Sequence, residues 1–327
     1  MRRRLLPGIA AAGAAAAVLA GPTTASQLID RDASRISLRV NAKGVALVEY
    51  RVHRAWRHVL AWGAINARMP QGSTRPSTPQ VRFRLDYSGG WGTYRKLVWR
   101  SFRNACKPYD GPELRMVVAS CTASDGSYWA LQAWQVELPD FGFIPWTADQ
   151  RRWHLQLSHW TGPVAELEAY TDWIHRGRIH NVFGRVTYRG LPVHGYGTTP
   201  HGVPTDKYGR LVYLDTYDSA YGPGWRRENA FVAHRPNGNF CWGFYRHDAG
   251  TGGNVQPPGQ RGLRPKANGT RYRITVQGPG VTPDVVWEGK GLPNYNPKDP
   301  ALVQLQREML ALNAELAGGD RTCRGRQ

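Results

Sequence analysis

The sequence predicts a mainly β protein of antiparallel, sandwich-like sheets, arranged as one or two β units and followed by a C-terminal amphipathic helix. Three observations predict this fold class. Short runs alternate apolar with polar residues, turn-forming Gly and Pro are frequent (37 and 23 of 327 residues), and the one long helical pattern lies near the end of the chain. Alternation with a period of two is typical of half-buried strands, and dense turn signals indicate short antiparallel connections.

The first β unit is predicted over residues 26–145. Alternating runs predict its strands at 34–40, 45–52, 56–62, 81–87, 97–102, 114–120 and 128–138. The segment 139–145, which contains two Pro and three aromatic or branched apolar residues, is the predicted boundary with the second unit.

The second β unit is predicted over residues 146–290, with its centre at residues 211–245. There, a strand at 211–215 precedes a Gly/Pro turn at 221–225, a second strand at 228–234 and a return strand at 240–245. Asn237-Gly238 favours a tight hairpin before the return strand. Further strands are predicted at 153–159, 164–170, 182–188, 191–196, 271–276 and 281–287.

Residues 291–327 are predicted to form a linker and a docking helix. Asp299 suits the N-cap, Pro300 the first helical position and Gly318 the end. An apolar stripe steps along the helix by three and four residues, which favours docking onto the chain's own sheet, with pairing between two molecules as an alternative. The stripe contains Leu302, Leu305, Met309, Leu312 and Leu316.

Residues 1–25 are predicted to be a removable signal peptide. Three Arg precede an Ala-rich apolar run, and small residues up to Ala25 suit cleavage. The general secretory and twin-arginine routes are both open. No later run reaches the roughly 20 apolar residues of a membrane span, so the processed chain is not expected to be transmembrane. We therefore expect a protein that is secreted or attached to a bacterial cell envelope.

Four cysteines in an exported chain predict two disulfide bonds. Cys106–Cys121 is the favoured local pair because it closes a short loop, and Cys241–Cys323 would then attach the tail to the central hairpin. Three pairings are possible from sequence alone.

The charge is strongly positive, at +19 for the whole chain and +16 once the three Arg of the signal peptide are removed. Such a charge favours an anionic partner through long-range attraction. The alternative is a background of Arg-rich composition that serves solubility. Specific nucleic-acid binding is not predicted, and the sequence makes no prediction of oligomeric state.

Candidate catalytic residues lie in the central stretch, although no catalytic signature matches it. Glycoside cleavage needs two carboxylates that flank the bond, and Asp215, Asp218 and Glu228 are the candidates, with His234 as a nearby base. The alternative is that these acids balance local Arg residues. The ten His residues show no zinc-ligand spacing, so neither a metal nor another cofactor is predicted.

Aromatic residues beside Gly/Pro turns are the candidate ligand contacts, because a Trp or Tyr ring on a loop can stack on a sugar ring. In contrast, Trp62, Trp129, Trp134 and Trp153 fall in predicted strands and are expected in the core. The candidate ligand-binding residues are Trp91, Tyr94, Tyr196, Tyr221 and Trp225.

These features favour a non-catalytic binding protein for an anionic glycan or cell-wall polymer. The alternatives are a polysaccharide-cleaving hydrolase or lyase that uses the carboxylates from Asp215 to Glu228, and a structural surface protein without a ligand.

Overall fold

A computed structural model describes residues 26–67, 81–135, 152–193, 195–198, 204–206, 212–220, 222–228, 232–234, 238–244 and 268–317. These residues form a mainly β fold of antiparallel sheets with a C-terminal helix, which confirms the predicted fold class. The predicted signal peptide, the predicted boundary at 139–145 and Cys323 lie outside the described residues.

The first eight strands form two four-stranded sheets. The elements are β1 (Gln27–Arg31), β2 (Ser34–Val40), β3 (Ala46–Val52), β4 (Ala55–Gly63), β5 (Phe83–Asp86), the short helix α1 (Trp91–Tyr94), β6 (Val117–Thr122), β7 (Tyr128–Trp134) and β8 (His154–Trp160). The strand orders are β1-β8-β7-β6 and β2-β3-β4-β5, and every pairing is antiparallel.

These two sheets pack face to face as a sandwich around one apolar core. Val48 and Tyr50 of β3 share this core with Trp129 and Leu131 of β7, and all four are fully buried because alternate residues of each strand face inward. Leu157 of β8 belongs to the same core. The first core therefore continues past residue 145, since β8 pairs with both β1 and β7.

The remaining strands form a second sandwich. The elements are β9 (Glu166–Ile174), β10 (Ile179–Tyr188), β11 (Leu191–Pro192), β12 (Gly195–Thr198), β13 (Pro204–Asp206), β14 (Val212–Ser219), β15 (Gly222–Glu228), β16 (Val232–His234), β17 (Asn239–Gly243), β18 (Arg271–Val276), β19 (Val285–Lys290) and the helix α2 (Pro300–Ala317). One sheet has the order β15-β14-β18-β19. The other contains β11, β10, β17 and β16 in that order, with β9 also paired to β10, and β12 pairs with β13 alone.

The core of the second sandwich lies between its four-stranded and five-stranded sheets. Leu214, Tyr272 and Ile274 from the first pack with Val182 and Phe240 from the second, and each is at most 1% exposed. The inner faces of both sheets are thus covered, which leaves their outer faces to contact other parts of the chain or solvent.

Three predicted strands and one predicted turn are wrong as drawn. The run 191–196 is divided between β11, which pairs with β10, and β12, which pairs with β13. The turn predicted at 221–225 instead belongs to β15 from Gly222 onward, because these residues pair with β14. The run 228–234 is divided, because β15 ends at Glu228 beside β14, whereas β16 begins at Val232 and pairs with β17 in the facing sheet. The run 97–102 instead contains a 3-10 turn over Val98–Ser101. Trp99 and Phe102 of this segment pack against the outer face of the β2–β5 sheet. Its apolar residues therefore make contacts with that sheet and do not indicate a strand.

The C-terminal helix docks on the second sandwich, as predicted. Asp299 caps α2, since its Oδ1 accepts a hydrogen bond of 2.9 Å from the Ala301 amide. The apolar stripe of α2 packs against the outer face of the five-stranded sheet, where it covers a cluster that includes Cys241. The residues in this contact are Tyr170, Phe183, Cys241, Met309, Leu312 and Leu316.

The local disulfide prediction is confirmed by a bond between Cys106 and Cys121. This bond joins the segment before β6 to β6 itself. The second predicted pair, Cys241–Cys323, stays a prediction, because only Cys241 lies among the described residues.

Candidate functional site

Asp215, one of the candidate catalytic carboxylates, is buried between two arginines. It lies on β14 opposite Arg227 of β15 and Arg273 of β18. Its Oδ1 accepts a 2.6 Å hydrogen bond from Arg227 Nε, and its Oδ2 accepts one of 2.9 Å from Arg273 Nη2. Asp215 is 1% exposed. Both carboxylate oxygens are therefore engaged in cross-strand ion pairs that compensate the buried charge.

The other three catalytic candidates lie at separate positions in the second sandwich. Asp218 has a left-handed φ of 49° at the β14–β15 turn, and its Oδ1 accepts a 2.7 Å hydrogen bond from the Gly224 amide. Glu228 lies opposite Leu214 in the register, whereas His234 belongs to the facing sheet, opposite Phe240. A catalytic role for Asp215, Asp218, Glu228 or His234 stays a prediction.

Trp225 belongs to a stack of guanidinium groups and rings on the outer face of the four-stranded sheet of the second sandwich. The Trp225 ring lies 5.1 Å from the Tyr217 ring, 4.3 Å from the Arg273 guanidinium and 5.3 Å from that of Arg271. Arg271 also pairs with Glu288. Its neighbours therefore occupy much of the space beside the Trp225 ring. Of the other candidates in this unit, Tyr196 is described only in its backbone, and Tyr221 lies outside the described residues.

Trp91 and Tyr94 form the most exposed pair of candidate ligand contacts. They begin and end α1 and are 54% and 44% exposed. Residues three apart on a helical turn share one face. The Tyr94 ring also lies 6.2 Å from the ring of Trp62, which is half-buried beneath it. The helix α1 therefore exposes two aromatic rings, and the Trp62 ring supports that of Tyr94.

We call residues 87–103 the aromatic strap, because they cross the outer face of the β2–β5 sheet. The strap begins with a turn in which Gly90 has a φ of 112°, a region that favours Gly. Asp86 fixes this turn by accepting hydrogen bonds from the Ser88 and Thr93 amides at 2.8 and 3.0 Å. Burial alone would raise the pKa of Asp86, but the hydrogen bonds from Ser88 and Thr93 outweigh burial and lower that pKa below its ordinary value. The carboxylate thus stays ionised as a firm anchor.

A second anchor holds the centre of the strap to the sheet. Glu49 of β3 bonds Arg39 at 2.7 Å and His58 at 3.0 Å through its two carboxylate oxygens. The His58 ring stacks on Trp99 at a centroid distance of 3.8 Å, and the Arg39 guanidinium lies 5.5 Å from the Phe102 ring. One glutamate therefore orients two side chains, Arg39 and His58, that each contact an aromatic ring of the strap.

The second half of the strap, from residue 95 to residue 103, is basic. It contains four exposed cations and no Asp or Glu. Within the part of the chain that the structure describes, none of these cations forms an ion pair, so their field is available to an incoming anion. The four cations are Arg95, Lys96, Arg100 and Arg103.

The described His, Cys, Asp and Glu side chains form no group that could hold a metal ion. Likewise, no helix in the described ranges has the length and apolar character that crossing a bilayer requires.

Comparison with known proteins assigns neither a family nor a function to the chain. The chain matches no protein family, no curated protein and no solved structure. The function therefore has to be argued from the residues themselves.

The two rings of α1 are predicted from the sequence as ligand contacts, but the side chains that hold the strap to the sheet are not. Nothing in the spacing of Arg39, Glu49 and His58 relates them to Trp99, since that contact depends on the register of β2, β3 and β4. Trp153 was expected in the core and is instead 52% exposed, because β8 begins one residue later. Trp129 and Trp134 are buried, as expected.

Proposed function

We propose that this chain is a non-catalytic binding protein for an anionic polysaccharide or cell-wall polymer, and that the aromatic strap is its contact surface. The observation that carries the proposal is the exposed pair Trp91 and Tyr94 within a segment of four cations and no acid. A flat ring with a polar edge suits stacking on a sugar ring, and the surrounding cations attract carboxylate or phosphate groups.

The compartment proposed for this activity is the cell envelope or the extracellular medium. The Cys106–Cys121 bond supports it, since disulfides persist in oxidising compartments. The predicted signal peptide at residues 1–25 points the same way.

A binding assay with a polyuronate, and with a neutral glucan as reference, tests the proposal. We expect the polyuronate to be bound and the glucan to be bound far more weakly. Trp91→Ala with Tyr94→Ala should weaken polyuronate binding about tenfold or more, which is the effect of losing about 1.4 kcal/mol. Arg95→Gln with Lys96→Gln should flatten the dependence of affinity on salt, because fewer screened charge contacts remain.

Trp56→Ala is the matched control, since Trp56 is 51% exposed at the opposite end of β4. Trp56 and Trp62 are six residues apart on one strand, or about 20 Å. Polyuronate affinity that is unchanged in the Trp91/Tyr94 variant would refute the strap as the site. Release of new sugar ends during the assay would instead support the cleaving alternative, which Asp215→Asn would then test.

A further inference from the structure

A second surface lies at the end of the first sandwich that is remote from Trp91 and Tyr94. Here the β3–β4 hairpin, the β1–β2 turn and the start of β8 come together. Ser34 Oγ donates to the Arg51 carbonyl at 3.1 Å, and the Asp32 amide donates to the Trp153 carbonyl at 2.8 Å. We call the residues 30–35, 50–57 and 152–154 the basic end.

Two tryptophans project at the basic end. Trp56, at the start of β4, is 51% exposed, and Trp153, just before β8, is 52% exposed. β4 and β8 belong to the two sheets that share the first core, and such sheets stack about 10 Å apart. The two indoles therefore stand at the same end of the sandwich, one on each sheet.

The basic end is also a concentration of arginine. Its two acids are both occupied, because Asp30 accepts a hydrogen bond from Tyr50 Oη at 2.9 Å and Asp32 pairs with Arg152 at 3.1 Å. Six Arg against two Asp leave an excess of positive charge. The arginines are Arg31, Arg35, Arg51, Arg54, Arg57 and Arg152.

The β3–β4 turn exposes His53 and Arg54 at some conformational cost. His53 and Arg54 have φ values of 47° and 70°, and both residues are exposed. The left-handed region costs a residue other than Gly roughly 1 kcal/mol, so Asn-Gly would suit this two-residue turn better. The turn is the two-residue end of a hairpin, since Val52 pairs with Ala55 on either side of it.

We infer that the basic end docks onto an anionic lipid bilayer. Trp residues prefer the boundary between headgroups and acyl chains, and each Arg near an anionic surface adds to the attraction. A hairpin end with two exposed indoles and an excess of arginines fits a broad, deformable anionic surface. A polysaccharide chain would be better held by a ring platform such as that of the strap. Docking would leave Trp91 and Tyr94 free to bind polymer, because Trp56 is about 20 Å along β4 from Trp62, whose ring lies beside Tyr94.

Sedimentation of the full chain with vesicles tests this inference. Vesicles of equal parts phosphatidylglycerol and phosphatidylcholine should bind the protein, and vesicles of phosphatidylcholine alone should bind it at least tenfold more weakly. Trp56→Ala with Trp153→Ala should reduce binding to the mixed vesicles about tenfold. Arg54→Gln with Arg57→Gln should reduce it about 25-fold, since each Arg near an anionic membrane contributes about fivefold. Both changed pairs lie at exposed positions, and the circular dichroism spectrum of each variant verifies its fold.

Trp91→Ala with Tyr94→Ala is the matched control and should bind the mixed vesicles like the parent protein. Equal binding to both vesicle types, or unchanged binding after loss of Trp56 and Trp153, would overturn the inference. Loss of polyuronate binding in the Trp56/Trp153 variant, with vesicle binding intact, would also overturn it and assign the basic end to the polymer. Because the two variant pairs are read against two ligands, failure of the docking inference is distinguishable from failure of the proposed function.

Discussion

Asp172 should make the second sandwich less stable at neutral pH than at acidic pH. The residue is fully buried on β9. Its Oδ1 accepts a 2.8 Å hydrogen bond from Asn181 Nδ2, while Oδ2 has no hydrogen-bond partner. Burial is the main cause that raises the pKa of Asp172 from its ordinary 3.8 to about 6, and the Asn181 hydrogen bond opposes it only in part.

The sign of the effect follows from proton linkage. Between pH 3.8 and about 6 the folded chain keeps a proton on Asp172 that the unfolded chain has released, so the free energy of unfolding falls as pH rises through this range. The contribution is complete below pH 3.8 and lost above pH 6. At about 1.4 kcal/mol for each pKa unit, the loss is about 3 kcal/mol.

Asp172→Asn tests this reasoning, because the amide still accepts from Asn181 and stays neutral at every pH. Urea unfolding of variant and parent should give a difference in unfolding free energy that grows by about 3 kcal/mol in favour of the variant from below pH 3.8 to above pH 6. Glu168→Gln is the control on the same strand. Glu168 is exposed and pairs with Arg185 at 3.3 Å, so its replacement should change stability by less than about 1 kcal/mol. A difference that is flat across this pH range, or that favours the parent as pH rises, would show that Asp172 is not a strained buried acid.

Two further predictions concern the first sandwich. Replacing both Cys106 and Cys121 by Ser should lower the free energy of unfolding by about 3 kcal/mol, because the bond closes a loop of about 15 residues. A melting temperature equal to that of the parent would contradict this prediction. Glu49→Gln should release Arg39 and His58, accelerate hydrogen exchange of amides in the strap and weaken polyuronate binding several-fold. Unchanged exchange in the strap would show that Glu49 does not hold it.

Local patterns predicted much of this molecule. Alternation identified strands such as β2, β4, β7 and β18, and the cap at Asp299 with the leucine-rich stripe identified α2 almost to the residue. The cysteines at 106 and 121 were close enough in sequence to predict their bond. Each of these signals depends on neighbours within a few turns or a short loop, which is the range over which periodicity and turn chemistry act.

The candidate sites were predicted only in part. Exposure of Trp91 and Tyr94 was anticipated from their Gly-rich surroundings. Charge balance by local Arg residues was an alternative for Asp215, but its contact with Arg273 was not predicted. Arg273 lies 58 positions away in sequence, and it reaches Asp215 only because β18 pairs with β14 in one register. A slip of one residue would place Arg273 on the opposite face.

The sequence by itself determined the class of fold, the local disulfide, the terminal helix and the positive charge, because each follows from composition or from contacts between near neighbours in the chain. The tertiary structure decided which aromatic rings stay exposed, which acids are compensated and where cations accumulate. The strap depends on Glu49 reaching both Arg39 and His58. The basic end depends on two turns and the start of β8 meeting at one end of a sandwich. Both follow from the register and stacking of strands distant in sequence, which alternation alone does not encode.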